Sequence, residues 1–247
     1  MYISSGALLS MFRRPNSGGR PTFFFHIPKC AGSSLWESIF DIYGFFNVYI
    51  VSTDREHAQF STMTPARRRI YSALGGHGYL NNYRELIDLN AYHKITVFRD
   101  PLDRLISEYN FIRRNKGHFL YDKVSRQSFP EFVSSGWRNT QIHLLTGNED
   151  GLDRAKDLVN SFFDDWAIID DLPALTARLY GMAGRTPRPT KHKNKTAGSN
   201  FGGIERSDDL LKLMEEHQGL DLKLFDFLRT HPRERGATSD QPPVYID

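Results

Sequence analysis

The chain has 247 residues, 39% of them hydrophobic, 25% charged and 13% aromatic, enough for one full core and inconsistent with a disordered chain. A formal charge of only +3 argues against a nucleic-acid binder, and the single cysteine, Cys30, excludes a disulfide framework within the chain. Basic clusters such as Arg67-Arg68-Arg69 and Arg113-Arg114 read as solvated surface, one or two of them available to line a pocket for a polyanion.

Residues 1–20 read as a flexible leader. Its apolar stretch is broken by Ser and Gly, follows no basic residue and is too short to span a bilayer, so the expected compartment is the cytoplasm. Phe23-Phe24-Phe25, between Pro21 and Pro28, is too short a run for a helix and predicts a buried strand over 22–26. A tight turn follows. Leu35, Trp36, Ile39, Phe40 and Tyr43 then recur at helical spacing. Further strands are expected over 46–51, 70–74, 94–98 and 166–169, with Gly75-Gly76-His77-Gly78 read as the loop after the third. Asp100 as N-cap and Pro101 at the first helical position start a helix bearing Leu102, Leu105, Ile106, Tyr109 and Ile112.

Residues 113–158 hold no strand signal and predict helical insertion and loop. Leu172, Leu175 and Leu179 mark a helix after the fifth strand, 181–203 a long loop, and 207–230 one or two helices interrupted near Gly219. Residues 231–247 form a tail poor in apolar residues. Strands alternating with helices predict a single α/β domain over 21–230, with a central parallel sheet of about five strands flanked by helices. No oligomeric state follows from the sequence.

The chemistry concentrates where strands end. In an open parallel sheet, ligands bind beyond the carboxyl ends of the strands. The first such end carries Lys29, then Cys30, Ala31, Gly32, Ser33 and Ser34 opening a helix. Small residues admit a phosphate close to the backbone, helix-start N–H groups favour an anion, and Lys29 adds a point charge. The plain alternative is a tight turn with a serine cap. The order differs from the nucleoside-triphosphatase loop, because Lys29 precedes Gly32.

His26-Ile27-Pro28-Lys29-Cys30-Ala31-Gly32-Ser33-Ser34-Leu35 resembles the 5′-phosphosulfate loop of carbohydrate sulfotransferases, nearest the branch of heparan sulfate 2-O-sulfotransferase and its bacterial relatives, with Cys30 where that branch usually has Thr. Phe98-Arg99-Asp100-Pro101-Leu102-Asp103-Arg104-Leu105-Ile106-Ser107 resembles the same family's 3′-phosphate block. Asp100 and Arg104 could in addition form an ion pair at the helix start. Asn139-Thr140-Gln141 and Leu220-Asp221-Leu222 give weaker matches, as does Lys193-Asn194-Lys195-Thr196, similar to a late loop that closes over the nucleotide.

The resemblance implies a P-loop-like sulfotransferase fold and the donor 3′-phosphoadenosine 5′-phosphosulfate. It implies Lys29 to Ser34 around the 5′ end of the donor, and Arg99 and Ser107 on its 3′-phosphate, with Lys195 a further contact. The acceptor it implies is a hydroxyl of a carbohydrate or glycolipid.

Such a hydroxyl must lose a proton, a task for a positioned histidine. His77, after the third strand, is the candidate base; His26 rivals it in position but reads as a brace for the turn. No metal-ligand spacing is present, so no metal is expected. The alternatives are a kinase-like phosphoryl transferase, which would depend on magnesium, and a non-catalytic nucleotide- or glycan-binding module on the same fold.

Overall fold

The computed structural model describes residues 19–187 and 204–231. The expected leader and tail therefore lie almost wholly outside the described residues, as does Lys195 with its loop.

Five strands form one sheet, β1 Thr22–Phe25, β2 Val48–Val51, β3 Ala73–Gly76, β4 His93–Phe98 and β5 Asp165–Ile168, in the order β2-β3-β1-β4-β5. Every pairing is parallel, as the alternation of strands and helices predicts. Residues of β1, β3 and β4 are buried throughout, because helices cover both faces. The principal helices are α1 Gly32–Tyr43, α2 Asp54–Thr62, α3 Leu80–Arg84, α4 Pro101–Arg114, α5 Phe129–Ser135, α6 Thr140–Thr146, α7 Leu172–Met182 and α8 Asp208–Thr230. The chain from β4 to β5 holds no strand, as expected.

Two boundaries move. The second strand starts at Val48 rather than 46, because Phe45–Asn47 wind into a 3-10 turn after Gly44, whose φ of 81° ends α1. The third strand is Ala73–Gly76, not 70–74. Gly75 and Gly76 belong to it, at φ 145° and 143°. A Cβ on Gly75 would stand 2.0 Å from the Phe24 carbonyl oxygen, and one on Gly76 1.9 Å from that of Val51. Only glycine lets β3 run between β1 and β2 in this conformation. The glycine pair thus carries the sheet out to His77 rather than ending it.

Asp100 does cap α4, its side chain accepting the Asp103 N–H at 3.0 Å, with Pro101 at the first position. Arg104 turns inward instead, to Glu108 Oε2 at 2.9 Å and Thr140 Oγ1 at 3.2 Å. Helix α8 is broken at Gln218, with φ −131°, beside the expected Gly219.

Candidate active site

The loops after β1 and β4, adjacent central strands, leave the sheet toward opposite edges, since β2 lies at one edge and β5 at the other. Between such loops an open parallel sheet forms its ligand crevice.

On the β1 side the loop is strained. Lys29 and Ala31 hold left-handed backbone, φ 69° and 58°, a conformation that costs a non-glycine residue on the order of 1 kcal/mol. No side chain caps α1. Its opening N–H groups at Gly32 and Ser33 precede any intrahelical carbonyl, which leaves them available to an anion. Ser33 is exposed and Ser34 half-buried.

The reason for glycine at position 32 is His26. A Cβ there would lie 1.7 Å from the imidazole Nε2. That imidazole stacks on Phe24 at 5.2 Å and meets His77 at 4.3 Å, and the His26 N–H donates to the Gly76 carbonyl at 3.0 Å. Burial first, then His77 and Lys29, push its pKa down to about 3. Cys30 faces inward. Its fully buried thiol points at Gln141 Oε1, 3.7 Å away, and burial pushes it up to about 12. Cys30 therefore supports the loop from behind as a neutral thiol.

On the β4 side, Arg99 is clamped by one amide. Its N–H donates to Gln141 Oε1 at 3.2 Å, and its carbonyl accepts from Gln141 Nε2 at 2.9 Å. The Arg99 guanidinium donates to the Lys29 carbonyl at 3.1 Å, tying the two loops together. Its Nε is buried with no partner among the described residues. Ser107 is half-buried in the second turn of α4.

Behind this lies a buried polar lock. Asp221, fully buried, accepts the Gln141 and Ile142 N–H groups, each at 2.9 Å. Burial raises its carboxyl to about 6, against the pull of those bonds and of Arg104. In return Asn139, left-handed at φ 43°, accepts the Leu220 and Asp221 N–H groups at 3.0 and 3.2 Å. The break in α8 and the start of α6 cap each other.

The Lys29 ammonium lies 3.9 Å from the Phe111 ring centroid, a cation–π contact; burial lowers its pKa, and Glu108 opposes that. His77 is fixed through its backbone. Its N–H donates to Val51 O at 2.8 Å, and its carbonyl accepts the Tyr83 hydroxyl at 2.6 Å. Its Nε2 is buried without a partner among the described residues. Burial, then His57 and Lys29, lower its pKa, so the imidazole is neutral at pH 7. The His57 ring sits where a Cβ on Gly78 would come within 2.8 Å of it.

Lys29, Ser33, Ser34, Arg99 and His77 thus share the carboxyl edge of the sheet. The supporting roles of Gln141, Asp221, Arg104 and His57 are not predicted by sequence; the weak Asn139-Thr140-Gln141 and Leu220-Asp221-Leu222 matches are the signals that point toward the first two. Among the described residues no group of three or more His, Cys, Asp or Glu is placed to hold a metal, and no helix is long and apolar enough to cross a membrane.

Residues 20–171 match the Sulfotransferase family. Among solved structures the chain is similar to a sulfotransferase from Alicyclobacillus acidocaldarius, at 17% identity over 85% of this chain and 96% of that one, with a TM-score of 0.47. It is also similar to mouse sulfotransferase SULT7A1 complexed with PAP, at 12% identity over 91% of this chain and 92% of that one, with a TM-score of 0.51; this second likeness supports the fold. No curated protein matches the chain.

Proposed function

The chain belongs to the sulfotransferase family, and on that premise we propose that it moves a sulfuryl group from 3′-phosphoadenosine 5′-phosphosulfate to a hydroxyl of a carbohydrate or glycolipid. The observation that carries the donor assignment is the 3.1 Å bond from the Arg99 guanidinium to the Lys29 carbonyl, together with the buried Arg99 Nε, which has no partner among the described residues. A donor with phosphate at both its 5′ and 3′ ends suits two cationic loops held at one crevice. A buried guanidinium nitrogen lacking an acceptor suits a phosphate oxygen.

In this reading the Gly32 and Ser33 N–H groups and the Ser33 and Ser34 hydroxyls hold the 5′ end of the donor. Arg99 and Ser107 hold the 3′-phosphate, and Lys195 adds a contact from outside the described residues. Cys30 and Ala31 shape the loop. Residues 21–230 make up the catalytic domain.

Neutral His77 takes the acceptor's hydroxyl proton. The acceptor oxygen forms its bond to sulfur as the bond from sulfur to the bridging phosphate oxygen breaks. Lys29 neutralises the negative charge that collects on that oxygen. The products are the sulfate ester and adenosine 3′,5′-bisphosphate. Most of the rate enhancement comes from positioning and electrostatics, as in phosphoryl transfer.

Calorimetry with adenosine 3′,5′-bisphosphate tests the donor site: saturable binding is expected, and none by folded protein overturns the assignment. His77→Ala should keep that binding and lose turnover by about 10²–10⁴-fold. A variant retaining full rate removes His77 as the base.

A further inference from the structure

Three aromatic rings outside the donor site, those of Tyr79, Trp137 and His143, gather in one cluster. Tyr79 follows His77 by two residues, at the head of α3, while Trp137 precedes α6 and His143 lies on α6. The Tyr79 hydroxyl shares a 2.9 Å hydrogen bond with His143 Nε2. The Trp137 ring lies 18° from parallel with Tyr79 at 6.5 Å, and 5.6 Å from His143.

Trp137 is 57% exposed, yet its backbone is pinned. Its carbonyl accepts from Gln218 Nε2 at 2.7 Å and from Thr140 Oγ1 at 3.4 Å. The next two residues reach the broken helix as well: Arg138 donates to the Glu216 carbonyl at 2.6 Å and the Asn139 N–H to that of His217 at 3.2 Å. Folding gains little from an indole left in water. Holding one there rigidly, in a cluster with other rings, is what ligand recognition requires.

We propose that Trp137, Tyr79 and His143 form the acceptor platform, on which a sugar ring of the acceptor rests. This rests on the sulfotransferase reading above and adds the residues that select the acceptor. A pyranose has an apolar C–H face and a rim of hydroxyls. The indole supplies a flat, electron-rich face for the first. The Tyr79 hydroxyl, bonded on one side to His143, keeps capacity for the second. A planar phenol could stack on the same indole but would leave the Tyr79–His143 edge unused.

Trp36 and Trp166 are 5% and 8% exposed, so acrylamide quenching of the full chain reports mainly on Trp137. Maltotriose, chitotriose and galactotriose are tested with and without adenosine 3′,5′-bisphosphate, against 4-nitrophenol. At least one trisaccharide should shield Trp137 and be sulfated. With that acceptor, Trp137→Ala should raise KM about tenfold or more. Its nucleotide affinity and melting temperature should stay unchanged, Trp137→Phe should restore most of the effect, and Tyr79→Phe should fall between. The platform is overturned if no trisaccharide shields Trp137, if only 4-nitrophenol shields it and is sulfated, or if Trp137→Ala leaves the acceptor KM unchanged. Failure to bind the nucleotide counts against the donor site instead, because the quenching arm without nucleotide still reads the platform.

Discussion

Gly32 and His26 compete for one space, and the donor loop depends on how that competition is settled. A methyl at position 32 would overlap the imidazole, which is itself wedged between Phe24 and His77. Gly32→Ala should therefore cost about 1–3 kcal/mol by overpacking and weaken adenosine 3′,5′-bisphosphate binding. Adding His26→Ala should recover much of the stability, and a double-mutant cycle of urea unfolding measures it. The same imidazole sets a pH dependence. Its folded value, about 3, lies below the unfolded 6.5, so the unfolded chain takes up the proton first as pH falls. Stability from this group is complete above pH 6.5 and declines toward pH 3, by up to about 2 kcal/mol at pH 5. His77, also lowered, acts in the same sense. Urea midpoints at pH 7 and pH 5 should show the drop, and His26→Leu should shrink it.

At the scale of elements, the donor site is held by two segments that finish each other's ends. Helix α6 begins on the Asp221 carboxylate, the second half of α8 begins on the Asn139 side chain, and Gln141 then reaches across to Arg99. Gln141→Leu leaves the Arg99 N–H and carbonyl without these partners, at about 1–3 kcal/mol. It should also weaken nucleotide binding, and in an Arg99→Ala background that second effect should vanish, which calorimetry on the four proteins decides. This layer explains what the sequence could and could not disclose. Lys29 to Ser34, and Arg99 with Ser107, were legible because each group lies in one short run at a strand end, where chain order fixes proximity. The strands over 22–26 and 94–98 were legible because buried parallel strands are unbroken apolar runs. Gly75 and Gly76 misled because glycine ordinarily marks a turn, and here it marks a strand squeezed between two others. Gln141 and Asp221 show in the sequence only as parts of weak matches without a role, since their partners come from segments far apart in the chain.

At the scale of the molecule, the buried apolar side chains among the described residues fall into two clusters. One surrounds the sheet. The other joins α4, α5 and the first half of α8, through Leu105, Tyr109, Phe132, Leu210 and Met214. Helix α8 belongs to both, because its second half buries Leu224 and Leu228 in the sheet cluster. Helix α4 follows β4 after only Arg99 and Asp100, so the second cluster positions Ser107 while the first positions Lys29. Two clusters sharing a helix and a polar lock should unfold together. Met214→Ala, in the smaller cluster, should therefore cost about 2–5 kcal/mol and lower a single calorimetric transition rather than split it. Nucleotide affinity should fall with it, because α4 loses packing on the side opposite the donor. A separate early transition, with nucleotide affinity intact, would mean that the smaller cluster folds on its own and that the sheet edge alone holds the donor site.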